Sequence, residues 1–230
     1  MATFAALDKR MMRDVDRLHN YLWHAEEKID GPKLLADLAS EARDLDALLK
    51  AGGTLRRHAS AIVHDTAKDK GRYGPALFEL LTDSYNLAAA AAHVRKRDYK
   101  GAAEHVVRVV ESNSIGTCAE IDAFSLVEAW EGGKIDFEEY AGRLADALQA
   151  KGVTGAGQYK RMLLVARTFG KEWDARAPKE QQAFAARAAV EAGAWCAIAT
   201  RSIRETATGK SPRVPVRDFA AVVQKIVAGL

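Results

Sequence analysis

The sequence predicts an all-α protein of about ten helices, built as one globular domain or as two tightly packed helical lobes. Three observations carry that expectation. Alanine, the strongest helix former, fills about a fifth of the positions. Apolar residues recur at intervals of three and four, the helical period. No alternating β-branched run is long enough to seat a sheet. With 230 residues, 48% hydrophobic and 28% charged, the chain can bury a core and is not of the disordered class.

The first helix shows the period most plainly. Phe4, Leu7, Met11, Val15, Leu18, Leu22, Ala25 and Ile29 form a heptad seam that Gly31-Pro32 breaks. Pro32 suits the first turn of a second helix carrying Leu34, Leu35, Leu38, Leu45, Leu48 and Leu49, stopped by Gly52-Gly53. A third runs from about Leu55 to Lys70. Pro75 opens a fourth, which passes through the alanine run 88–92, where another helix can approach closely. After the basic turn Arg95-Lys96-Arg97-Asp98, a fifth runs from about Tyr99 to Glu111. Thr117 and Glu120 read as a capping box that starts a sixth. Asp136 and Glu139 read as another, with Ile135 and Tyr140 as its hydrophobic staple, so a seventh begins near Phe137. Gly152 ends it, and an eighth runs from about Gln158 to Trp173. Pro178 opens a ninth that reaches Thr206, and Val216 to Ala228 forms a last amphipathic helix. The echo of Lys28-Ile29-Asp30 in Lys134-Ile135-Asp136 places a lobe boundary near 112–116, giving lobes 1–114 and 115–230. Residues 84–111 also resemble one hairpin of a helical repeat, without the further copies that a solenoid needs.

Two cysteines, Cys118 and Cys196, exclude a disulfide scaffold or zinc ribbon. Cys196 sits in an apolar stretch typical of a buried thiol. No apolar run reaches the roughly 18 residues of a membrane span. Asp8, Lys9, Arg10 and Arg13 stand where a signal peptide needs its apolar region. The expectation is a cytoplasmic protein that does not engage membrane.

Charge is uneven along the chain. The net formal charge is −2 over residues 1–50, +4 over 51–110, −7 over 111–150 and +8 over 151–230. Such segregation suits a nucleic-acid contact or a head-to-tail contact between copies. The alternative is that segment 111–150 packs beside the basic tail within one molecule. Cations cluster at Arg56-Arg57, at Arg95-Lys96-Arg97 with Lys100, and at Lys210, Arg213 and Arg217. On the eighth helix Lys160, Arg167 and Lys171 share about 40° of arc and span about 16 Å, enough to follow two or three phosphates. On the ninth, Lys179, Arg187, Arg201 and Arg204 are mixed with Glu180, Glu191 and Glu205, the pattern of a solvated face. Tyr73, Tyr99 and Tyr159 adjoin basic residues and could stack bases or simply cap the core.

Catalytic motifs are sparse. There is no nucleophile elbow and no phosphate loop. Gly152 to Gly157 follows a helix and reads as a flexible turn. Ile62-Val63-His64-Asp65-Thr66-Ala67-Lys68 resembles the metal-binding step of the HD-domain phosphohydrolases, an all-α family in which adjacent His and Asp ligate a divalent metal. That resemblance implies a metal-activated water at His64 and Asp65, an upstream His such as His19 or His24, and a downstream Asp such as Asp98 or Asp122. It covers seven residues. Helix geometry opposes chelation by His58 with His64 or by His19 with His24, which stand about 120° and 140° apart. His93 and His105 can meet across a hairpin as interior or edge histidines. Gly132 to Tyr140 resembles the second half of an EF-hand loop, but Trp130 and Gly132 would occupy ligand positions and offer no side-chain oxygen. The capping box explains the same residues.

The sequence therefore predicts a non-enzymatic binding and assembly protein without cofactor. It would hold single-stranded nucleic acid without sequence preference, through segments 51–110 and 151–230, and self-associate. The alternatives are a helical protein–protein adaptor using the Phe4–Ile29 seam and an HD-like phosphohydrolase.

Overall fold

The computed structural model describes residues 4–23, 29–49, 53–68, 70–171, 176–210, 220–221, 223–224 and 228. Among them the chain is all-α, with nine helices: α1 Phe4–Trp23, α2 Gly31–Leu49, α3 Thr54–Lys68, α4 Lys70–Arg95, α5 Tyr99–Glu120, α6 Phe124–Glu131, α7 Phe137–Ala150, α8 Ala156–Lys171 and α9 Lys179–Thr208. None is long and apolar enough to cross a membrane. The expected last helix falls largely outside the described residues. The chain divides into two compact units, Met1–Ala88 and Ala89–Leu230, with the border inside α4. The boundary read from the sequence, 114/115, lies inside α5.

In the first unit α1 packs on α2 and α2 on α3. The heptad seam is the reason: Leu7, Met11, Val15 and Leu18 are buried, as are Leu34, Leu38 and Leu45 of α2. Asp30 starts α2 by accepting the Lys33 N–H at 3.1 Å. Asp46 accepts the Leu55 N–H at 3.2 Å and so ties α2 to the start of α3. Within this apolar layer sits an acidic pair, Asp14 of α1 and Glu41 of α2, both buried. Arg13 and Arg17 hold Asp14 at 2.8 and 3.5 Å. Arg10 stands 3.8 Å from Glu41. Burial first, and then the Asp14 carboxylate, push the Glu41 carboxyl up to about 7.

The second unit is organised around α5, which packs on α8 and α9, while α7 packs on α8. Its core joins Val106 and Val110 of α5 with Tyr140, Leu144 and Leu148 of α7, Leu163 of α8 and Val190 of α9. Asp136 caps α7 as its sequence predicts, accepting the Glu139 N–H at 2.8 Å. Ile135 lies half-buried against the core that contains Tyr140. Gly209, with φ +67°, closes α9 in the left-handed conformation.

Two expected helix starts are corrected. Thr117 and Glu120 do not open a helix. α5 runs unbroken to Glu120, and buried Thr117 donates its hydroxyl to the Asn113 carbonyl at 2.8 Å. The capping-box spelling is the same inside a helix, and here packing of α5 between α8 and α9 decides. α4 likewise begins at Lys70, ahead of Pro75.

Candidate nucleic-acid interface

The turn between α4 and α5 is built by two caps sharing one residue. At the end of α4 the Arg97 N–H bonds the Val94 carbonyl at 2.9 Å and the Asp98 N–H bonds the His93 carbonyl at 2.9 Å. That is the Schellman arrangement, with Arg97 at φ 59° where glycine is the usual occupant. Asp98 then caps α5, its Oδ1 accepting the Gly101 N–H at 3.0 Å, while Oδ2 lies 2.8 Å from His93 Nδ1. Burial alone would raise the Asp98 carboxyl. The Gly101 N–H and the His93 ring outweigh it and hold Asp98 below the ordinary carboxylate range. His93 in turn packs on His105, with ring centroids 5.3 Å apart. The two histidines expected to meet across the hairpin do meet, as edge and interior residues.

Arg95, Lys96, Arg97 and Lys100 all emerge exposed from this turn. The Asp98 carboxylate is held by the Gly101 N–H and the His93 ring, and Glu104 forms a loose pair with Lys100 at 4.0 Å. Arg95 and Lys96 cover the C-terminus of α4, where cations complement the helix dipole. Four cations within six residues are what the turn presents outward.

The α8 strip is arranged differently. Arg167 is only 17% exposed; its Nε donates to Glu111 Oε1 at 3.1 Å. Its guanidinium lies 4.1 Å from the ring centre of Phe137 and 5.3 Å from that of Trp130. Trp130 in turn stacks on Tyr140 at 5.0 Å. Lys160 shares a shallow depression with Asp136, Glu138, Glu139 and Asp146. The Lys171 side chain lies outside the described residues. Within the second unit Arg167 and Lys160 therefore face different neighbours.

The expected solvated face of α9 also needs correction. Lys179 and Arg187 are exposed, but Arg201 and Arg204 are buried. Arg204 donates to Thr117 Oγ1 at 3.1 Å, to the Asn113 carbonyl at 3.0 Å and to Glu120 at 3.2 Å, fastening α9 to α5. Here the sequence missed a structural arginine; its signal was its place in line with Ala186, Gly193 and Ala197 on the buried face of the same helix. Tyr159 is buried and hydrogen-bonded to Thr200 at 2.9 Å, so it is a core residue. Tyr99 packs half-buried against the core.

Of the remaining candidates, Arg56 and Arg57 are exposed on α3, in the first unit. Lys210 is exposed just beyond α9; Arg213 and Arg217 lie outside the described residues. His64 is exposed on α3, and the side chains of Asp65 and Tyr73 lie outside the described residues. At the EF-hand-like segment Gly132 caps α6, and the Asp136 carboxylate is occupied by α7. Comparison with known proteins returns no match: no family model, no curated protein and no solved structure matches the chain.

Proposed function

We propose that this is a non-enzymatic helical binding protein that holds single-stranded nucleic acid by its phosphates, with the α4–α5 turn as the principal contact. One observation carries this reading: Arg95, Lys96, Arg97 and Lys100 are all exposed on a turn whose own carboxylate is committed to capping. A turn fixed by two caps presents cations with little further ordering cost, and phosphate contacts need no base-specific groups. Lys160 and Arg167, which the sequence also offered, are assigned instead to neighbours within their own unit.

The test is fluorescence anisotropy of a labelled single-stranded oligonucleotide across a salt series. Each phosphate contact contributes a slope of about −0.7 in log affinity against log salt, so four contacts give about −3. Replacing all four cations with Glu should abolish binding at low salt with the helical circular dichroism unchanged. Lys160→Glu should leave the affinity within about twofold, because its neighbours are already acidic. Unchanged affinity in the four-residue variant would remove the turn from the interface.

A further inference from the structure

α9 has two apolar faces. One is in the core, through Ala186, Ala189, Val190, Ala194, Cys196 and Ala197. The other points outward. Phe184, Ala188, Glu191, Trp195, Ile198 and Ser202 follow one another at steps of four and three, which at 100° per residue keeps them on one stripe. Phe184 and Trp195 are 75% and 56% exposed, the two most exposed of the large apolar side chains described. Beside the stripe, Ala185, Ala192 and Ala199 recur every seven residues and leave room for a close neighbour. Trp195, Ile198 and Ser202 also line a groove of about 740 Å³ with Gln158 and Met162 of α8.

We infer that this stripe is the contact between two copies of the chain, packed α9 against α9 in antiparallel fashion. The stripe is complementary to itself in one register. With a two-fold axis at the height of Ala189 and Val190, Phe184 of each copy meets Trp195 of the other and enters the apolar groove beside it. In the same register Glu191 of each copy faces Ala188 of the other, which makes room for it, and Arg187 stands one residue, about 1.5 Å, from the height of Glu191, within reach of an ion pair. Both Arg187 and Glu191 are exposed. Each contact occurs twice, as an isologous interface requires, and the pairing closes at two copies. The acidic segment 111–150 is not needed for it, since Glu111 and Glu120 already meet Arg167 and Arg204 of their own chain. The inference rests on α9 alone and is independent of phosphate binding by the α4–α5 turn.

Sedimentation of the full chain tests it. The wild type should sediment as a dimer at micromolar concentration, and Phe184→Glu or Trp195→Glu should make it monomeric with unchanged helical circular dichroism. Arg187→Glu and Glu191→Arg should each weaken the dimer about 100-fold by placing like charges together. An equimolar mixture of those two variants should restore it, because every facing pair is then opposite in sign. That restoration is a result no folding defect produces. A wild type that stays monomeric at 100-fold higher concentration, and that binds an apolar dye which Trp195→Glu releases, would overturn the dimer and give the face to a small ligand. A dimer that survives both Glu substitutions of the aromatic residues would overturn it equally.

Discussion

Two arginines separated by 37 positions show how far a side chain's role depends on what stands opposite it. Arg204 is buried and donates three hydrogen bonds to α5. Replacing it with Met removes a charge-assisted set and leaves Thr117 Oγ1 and the Glu120 carboxylate without that donor, so unfolding free energy should fall by about 3 kcal/mol. Denaturant titration checks this, and a loss below about 1 kcal/mol would show that the contacts are not made. Gly101 is the second informative position. A methyl group there would stand 2.5 Å from His93 Nδ1 and 2.7 Å from Asp98 Oδ2. Gly101→Ala should therefore break the His93–Asp98 contact, cost about 1–3 kcal/mol, and weaken oligonucleotide binding by distorting the turn. Retention of both stability and affinity would mean that the caps do not set the cations' positions. Neither role is spelled in the sequence: Glu111 lies 56 residues from Arg167, and Thr117 lies 87 from Arg204.

At the scale of elements, α1 and α2 carry a pH-dependent contact. Glu41 titrates near 7 in the folded chain against about 4.5 in the unfolded one, so the folded state holds the proton more tightly. Its contribution is fully present below about pH 4.5 and is lost as pH rises through about 7. Hydrogen-exchange protection in α1 and α2, corrected for the intrinsic rate at each pH, should accordingly fall between those limits, by a free energy on the order of 3 kcal/mol. Glu41→Gln, neutral at every pH and still able to donate toward Asp14, should flatten the dependence. A variant with the wild-type profile would mean another group titrates. The elements also divide cleanly by what a local pattern can specify. The α1 seam from Leu7 to Leu18 and the Asp136 cap are short-range features, and both are found where the sequence puts them, whereas Ile29, the expected end of the seam, lies outside α1. The Thr117–Glu120 spelling has the same local form, but its hydroxyl and carboxylate are claimed by the helix backbone and by Arg204.

For the whole molecule, the fold class was legible because alanine content and apolar period act on every segment alike. The basic strip on α8 was not legible as a structural device. Seen along the chain, 111–150 and 151–230 are charges held apart; in the folded second unit, Glu111 with Arg167 and Glu120 with Arg204 bring them together. Among the described residues, the α4–α5 turn and the Phe184 and Trp195 rings of α9 stay outward, as do Arg56, Arg57 and Lys210.

Both thiols of the chain, Cys118 and Cys196, are buried, and both belong to the unit that begins at Ala89. Burial raises the Cys118 thiol further, the Tyr140 hydroxyl 3.4 Å away notwithstanding. The protein is thereby furnished with a chemical clock that hears only one half of itself. A thiol-reactive dye in excess should label the native chain slowly, at a rate set by how often the second unit opens. Arg204→Met should quicken that labelling, while Glu41→Gln should leave its rate untouched however much it alters exchange in α1 and α2.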